Sequence, residues 1–189
     1  MVKLNKIYTR TGDDGTTGLA AGPRRAKHDL RVDSFGAVDE TNAAIGLARL
    51  HSAAAPDIEE TLARIQNELF DLGADLATPD DGKDLGYEPL RIVASQVERL
   101  EHDIDALNAR LEPLKSFVLP AGTPLAANLH VARTIARRAE RLMTALAARE
   151  TVSQATLSYV NRLSDYLFVA ARVANLAEGD VLWAPGKTR

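Results

Sequence analysis

The chain has 189 residues and no cysteine, so disulfides, thiolate zinc sites, iron–sulfur clusters and cysteine nucleophiles are excluded. Aromatic residues make up only 5% of it, and alanine and leucine are the commonest residues. A β-sandwich or barrel is therefore not expected, and helix is. No apolar run approaches the roughly 18 residues that a membrane span needs, and the first residues lack the apolar stretch of a signal peptide. A soluble protein working in the cytoplasm is expected, with no transit peptide ahead of a motif that begins at Ile7. Neither sign of charge dominates: the net charge is -3 and the isoelectric point about 5.8, which gives no electrostatic reason for nucleic acid or an anionic membrane as partner. The four histidines form no Glu-x-x-His or His-x-x-x-His pair, disfavouring di-iron bundles and helical zinc hydrolases. Each histidine, His28, His51, His102 and His130, is expected at the surface or at a cap. No G-x-S-x-G is present, so a hydrolase triad is not indicated.

What is present is helical periodicity. Ile58, Leu62, Ile65, Leu69, Leu72 and Leu76 alternate steps of four and three, one stripe of a helix over residues 57–78. Asp57 is expected to cap it, with Glu60 reaching back, and Pro79 to end it. Val93, Val97, Leu100, Ile104, Leu107 and Leu111 repeat the rhythm before Pro113. Thr123-Pro124 is a cap followed by proline at the first helical position. Leu125, Leu129, Ala132, Ala136, Ala139, Met143 and Leu146 continue from it, the small residues permitting close helix approach. Residues 152–178 are apolar on more than one face, which suits a central helix ended by Gly179. With an earlier helix over residues 32–51, the expectation is an all-α, five-helix bundle. The chain divides into a Gly/Thr-rich loop segment (1–29), a helical bundle (30–179) and a tail (180–189), together a single domain.

Three constellations fall outside simple core building. Residues 7–19 hold three glycines, Gly12, Gly15 and Gly18, and four threonines, Thr9, Thr11, Thr16 and Thr17. Such a segment can cradle phosphate oxygens with amides and hydroxyls, countered by Lys27 with Arg24 and Arg25 nearby. Neither familiar phosphate-loop spacing is present, and Asp-Gly is a common hairpin turn, so a structural turn stands level with a phosphate loop on spacing alone. Second, arginine outnumbers lysine 17 to 6, and residues 133–141 carry four arginines. Arg133, Arg137 and Glu140 share one stripe, with Arg138 and Arg141 displaced around the helix. A solvated charged face is one reading; the other is that carboxylates or phosphates lie opposite. Third, Asn161, Asp165, Phe168 and Arg172 line one stripe of the greasiest helix, and Asp39 and Asn42 share a face with Phe35 and Gly46. Buried polar groups need partners, and a satisfied structural network is as good a reading as a ligand site.

Taken in order, the segments Ile7-Tyr8-Thr9-Arg10-Thr11-Gly12-Asp13 with Gly15, Lys27, Val38-Asp39-Glu40, Phe117-Val118-Leu119-Pro120, Arg137-Arg138-Ala139-Glu140-Arg141 and Asn161-Arg162-Leu163-Ser164-Asp165-Tyr166-Leu167-Phe168 resemble the cob(I)alamin adenosyltransferases of the propanediol-utilisation (PduO) type. The resemblance covers nearly the whole chain. It implies a homotrimer of five-helix bundles that transfers the 5′-deoxyadenosyl group of ATP to the cobalt of cob(I)alamin and releases triphosphate, with active sites between subunits. It further implies that Thr9, Arg10, Thr11, Gly12, Thr17, Gly18 and Lys27 hold the nucleotide. Arg137, Arg138, Ala139, Glu140, Arg141 and Asn161 would complete the ATP site. Magnesium would enter through the ATP phosphates, on ligands the sequence does not identify. Asp39 and Arg133 match a salt bridge between adjacent subunits, and Phe117 matches an aromatic that displaces the lower ligand of cobalamin. Arg10 departs from the family, which often has lysine there. A reductase and an adenosylcobalamin-dependent client enzyme are the further partners implied. The alternative is a non-catalytic bundle that binds ATP or carries adenosylcobalamin.

Overall fold

Residues 7–189 are described by the computed structural model, in which five helices follow one another: α1 (Leu30–Arg49), α2 (Pro56–Leu76), α3 (Ala94–Asn108), α4 (Pro124–Ala147) and α5 (Gln154–Ala174). Their starts follow local chemistry. Asp29 accepts from the Arg31 amide at 2.9 Å to cap α1, Thr123 accepts from Ala126 at 3.2 Å for α4, and Ser153 accepts from Thr156 at 3.1 Å for α5. At α2 the expectation fails: Ala55 occupies the cap without a side-chain bond and Pro56 opens the helix. Proline lacks the amide that would need a cap, so its fixed φ suffices to start the turn. Asp57 instead accepts from Arg110 Nη1 at 2.6 Å.

Helix α4 lies between α1 and α5, α3 packs on the far side of α5, and α2 packs on α1. Ala132, Ala136 and Ala139 are fully buried along α4, where small side chains let the neighbouring helices approach. Ile45, Ile58, Leu62, Ile65, Leu72, Leu100, Leu129, Leu163 and Leu167 are completely enclosed, each contributing about 1.5–3 kcal/mol by leaving water.

Three buried charges close the bundle. Glu68 of α2 accepts from Tyr159 Oη of α5 at 2.7 Å and from Arg99 of α3 at 2.9 Å; burial, followed by the neighbouring Glu68 carboxylate, pushes the Tyr159 hydroxyl well above its ordinary pKa. Asp75, near the end of α2, accepts from Arg91 at 2.7 Å, the Ile92 amide at 3.0 Å and Thr156 Oγ1 at 2.8 Å. It thereby ties the end of the α2–α3 linker to α5. Arg31, 2% exposed, donates to Glu150 at 2.9 Å and to the Leu76 carbonyl at 2.8 Å.

The segment before α1 is less irregular than its composition suggests. It contains an antiparallel hairpin, β1 (Thr16–Thr17) and β2 (Arg25–Ala26), with Thr16 opposite Ala26 and Thr17 opposite Arg25. Arg25 fastens it to Asp29 and Glu150, each at 3.2 Å. Residues 1–6 of the expected loop segment lie outside the described residues. Among the described residues no helix is long and apolar enough to cross a membrane.

Candidate functional site

The glycine-threonine loop is a built turn whose polar atoms are largely directed by one another. Asp14 Oδ1 accepts from both the amide and the hydroxyl of Thr16, at 2.9 and 2.7 Å, and these bonds hold its carboxyl below the usual range. Arg24 donates to the Thr11 carbonyl at 2.7 Å and to Thr16 Oγ1 at 2.9 Å. Thr9 and Thr11 share a hydroxyl–hydroxyl bond at 2.9 Å. The Lys27 amide donates to Gly15 O at 2.9 Å, so the hairpin returns Lys27 to the loop. A Cβ on Gly12 would lie 3.1 Å from Thr16 O and 3.3 Å from Lys27 Nζ; glycine is what lets the ammonium come this close. Arg10 adopts φ +62° without being glycine, and its guanidinium lies 5.7 Å from the centre of the Tyr8 ring. Thr17 and Gly18 follow on β1 and the hairpin loop. Arg24 and Arg25 are not free countercharges: the first holds the loop and the second is paired with Glu150 and Asp29.

On α4 the arginines divide. Arg138 pairs with Glu40 of α1, the only member of the row for which the expected carboxylate lies within its own chain among the described residues. Arg141 donates to the Arg137 carbonyl at 3.0 Å. The Arg137 side chain is exposed and forms no hydrogen bond or ion pair among the described residues, although its charge acts on Asp165 of α5. Arg133 places its guanidinium 5.9 Å from the Phe168 ring centre and keeps a buried Nε without a partner. Burial, and then the charge of Arg137, lower its pKa. Glu140 accepts from Asn161 Nδ2 at 2.7 Å, and Asn161 Oδ1 accepts from Arg162 at 2.6 Å, while Ala139 is buried beneath them. Beyond them on the α5 stripe, burial raises the Asp165 carboxyl above the usual range.

These two groups do not meet within one chain. No described hydrogen bond or ion pair joins the loop to Arg133, Arg137, Arg138, Arg141 or Asn161. The hairpin is held at Glu150, three residues beyond the end of α4 at Ala147, which itself lies roughly 15 Å along the helix from Arg137 at 1.5 Å per residue.

Phe117 is 76% exposed, its ring tilted against Trp183 at 5.9 Å. The tail, to which the sequence assigns nothing, pairs with this segment: Leu119 N donates to Val181 O and Trp183 N to Phe117 O, both at 2.8 Å. Arg172 anchors the start of the tail through Asp180 at 2.8 Å. Asp39 is exposed and lines an open groove of about 290 Å³ with Phe35, Val38, Leu69 and Phe70. Its helix neighbour Asn42 is occupied elsewhere, exchanging bonds with Gln66 at 2.9 and 3.0 Å. A Cβ on Gly46 would lie 3.4 Å from the Gln66 side-chain nitrogen, an ordinary contact.

His130 corrects the expectation of a surface or capping role. It is 1% exposed, lies against Phe168 with ring centres 6.2 Å apart, and neither ring nitrogen has a partner. Burial lowers its pKa, as does the charge of Arg133, against the opposing pull of Asp180. Ala126, one turn earlier on the same face of α4, is likewise buried.

Residues 7–174 match the family model described as cobalamin adenosyltransferase. A corrinoid adenosyltransferase of Mycobacterium tuberculosis is 54% identical over 192 residues, covering 100% of this chain and 97% of the relative. One of Bacillus subtilis is 47% identical, covering 92% and 89%. Among solved structures, a phenylalanine-to-histidine variant of the PduO-type ATP:corrinoid adenosyltransferase from Lactobacillus reuteri, complexed with cobalamin and ATP, superposes with a TM-score of 0.88. It is 40% identical, over 95% of this chain and 97% of that one. An arginine-to-lysine variant complexed with ATP gives 0.87 at 41% identity, over 95% of this chain and 100% of that one.

Proposed function

The chain belongs to the cobalamin adenosyltransferase family, and from that premise we propose how its residues divide the work of the reaction. The protein is a PduO-type enzyme that transfers the adenosyl group of ATP to cobalamin. The two electrons of Co(I) form the cobalt–carbon bond to C5′, and the C5′–O bond breaks with its electron pair onto the departing triphosphate. The nucleophile belongs to the substrate, so the protein needs no general base. Its contribution is to hold the reactants in line and to stabilise charge on the leaving group.

In this reading Thr9, Arg10, Thr11, Gly12, Thr17, Gly18 and Lys27 receive the nucleotide. Arg137, Arg138, Ala139, Glu140, Arg141 and Asn161 complete the site. The observation that supports it is the lack of any described contact between the two groups: a preformed loop with an adjacent ammonium, and an exposed Arg137 side chain that forms no salt bridge among the described residues. No described hydrogen bond or ion pair joins them within one chain, and in this reading a second copy supplies the missing half. Arg133 has a buried, unpartnered Nε, and Asp39 stands exposed beside an apolar groove. We assign these as the two ends of a salt bridge between neighbouring copies in a homotrimer with sites at the interfaces. Phe117, held at the bundle surface, is assigned to the lower face of the corrin. Displacing the lower ligand there eases reduction to Co(I), because it lowers the cobalt orbital that accepts the electron.

Among the described residues no three His, Asp or Glu side chains converge on a metal position. Magnesium is proposed to arrive with ATP, the phosphate oxygens and water supplying most of its shell. The whole chain forms a single domain that contributes to sites shared between copies, with the cytoplasm as its place of work; a reductase supplies its corrinoid substrate and a client enzyme takes the product.

The test is an anaerobic spectrophotometric assay under strong reduction. A light-sensitive cobalt–carbon product that requires both ATP and cob(I)alamin is expected. ATP binding without turnover would overturn the reading in favour of a carrier.

A further inference from the structure

Phe117 makes its described ring contact with Trp183 alone, and most of its surface is open. Packing around the ring therefore does little to fix where it points; the backbone that carries it must do so. On one side the tail ladder holds residues 117–119. On the other, Gly122 adopts φ +107°, and a Cβ there would fall 2.3–2.5 Å from the Asn175 side chain.

Asn175 is 1% exposed and stands at the C-terminal end of α5. Its Nδ2 donates to the Ala121 carbonyl at 3.0 Å, and its Oδ1 accepts from the Thr123 amide at 2.9 Å. Thr123 in turn donates to the Ala174 carbonyl at 3.3 Å while capping α4. One amide side chain thus fastens the end of the Phe117 segment to the junction of α4 and α5. Ala121 lies four steps along the chain from Phe117, a reach of at most about 14 Å, so a displaced anchor moves the ring.

We propose that Asn175, seated against Gly122, is the positioning residue that holds Phe117 where it can exclude the lower ligand of the corrinoid. This rests on the assignment of Phe117 given above. The chemistry demands a planar group with one donor and one acceptor facing a carbonyl and an amide that flank a single glycine. Asparagine supplies both. Aspartate keeps the acceptor but turns a second oxygen toward Ala121 O, and any side chain at position 122 meets Asn175 in a backbone conformation that L residues rarely adopt.

The experiment uses the full chain with ATP and cob(II)alamin under anaerobic conditions, comparing wild type, Asn175→Asp, Gly122→Ala and Phe117→Ala. The absorption and electron paramagnetic signature of cob(II)alamin without its lower ligand is read beside ATP affinity by calorimetry. Turnover from chemically prepared cob(I)alamin is read in the same preparations. Asn175→Asp and Gly122→Ala are expected to weaken the signature roughly tenfold, the scale of a buried polar group left unsatisfied, with ATP affinity and cob(I)alamin turnover retained. Asn175→Asp, which keeps half of the clamp, carries the test if Gly122→Ala does not fold. An undiminished signature in Asn175→Asp, with its loss in Phe117→Ala, overturns the proposal. A parallel loss of signature and ATP affinity overturns it as well, since that marks a general structural role. Retention of the signature in Phe117→Ala instead removes the assignment of Phe117 itself.

Discussion

Arg137 and Arg138 are adjacent in sequence but have different partners. Arg138 spends its charge on Glu40 within the chain, an exposed pair that contributes about 0–1 kcal/mol to folding. Arg137 has no such partner, so Arg137→Ala is expected to leave the unfolding midpoint within experimental error. The same substitution is expected to lower kcat/KM for ATP by about a hundredfold or more, the scale of a lost group that stabilises developing charge. A stability loss without a kinetic one would place Arg137 in the fold rather than in the site. His130 carries a prediction of another kind. The unfolded chain protonates this residue near pH 6.5, and the folded chain only at lower pH. Between those values the unfolded state binds more protons, so stability falls as the pH drops. Urea midpoints from about pH 7.5 to about pH 5.5 are expected to fall more steeply for wild type than for His130→Leu; equal slopes would contradict a buried neutral imidazole. Sequence spacing shows Arg137 because four arginines in one short run are conspicuous. It does not show His130, whose ring is enclosed against Phe168 of α5.

At the scale of elements, periodicity defines all five helices because each buries a stripe at steps of three and four, and the neighbours sit where those stripes require. Ends are less legible. Asp57 has every local attribute of a cap, yet Pro56 opens the helix first and Arg110, from beyond α3, takes the carboxylate. Helix α5 ends at Ala174 rather than near Gly179 because the Asn175 side chain is engaged by the Ala121 carbonyl and the Thr123 amide, partners more than fifty residues away. The tail is invisible to a pattern search for the same reason: it gains order by pairing with the Phe117 segment, a contact that no local spacing announces. Asp75 illustrates what such long-range partners contribute. Its carboxylate serves Arg91, Ile92 and Thr156 at once, so Asp75→Ala leaves buried donors unpaired and is expected to cost about 3 kcal/mol, read as a lower denaturant midpoint. An unchanged midpoint would show that the linker and α5 are held without it.

The whole molecule is where the candidate site becomes coherent. The loop is anchored by Arg25 through Glu150 and Asp29, and the open arginine lies well along α4, with no described hydrogen bond or ion pair between the two. Asp39 beside its groove and Arg133 with its unpaired nitrogen suit an interface that would join such halves between copies. Mixing inactive subunits tests this most directly. On the proposed assignment Lys27→Ala damages only the loop half and Arg137→Ala only the bundle half, and each variant alone is expected to be inactive in the ATP- and cob(I)alamin-dependent assay. After subunit exchange at equal proportions, about a quarter of the interfaces combine two intact halves, so activity is expected to return to about a quarter of the wild-type rate. If the mixture stays as inactive as its parents although exchange is verified, both halves lie within one chain and the intersubunit site is wrong.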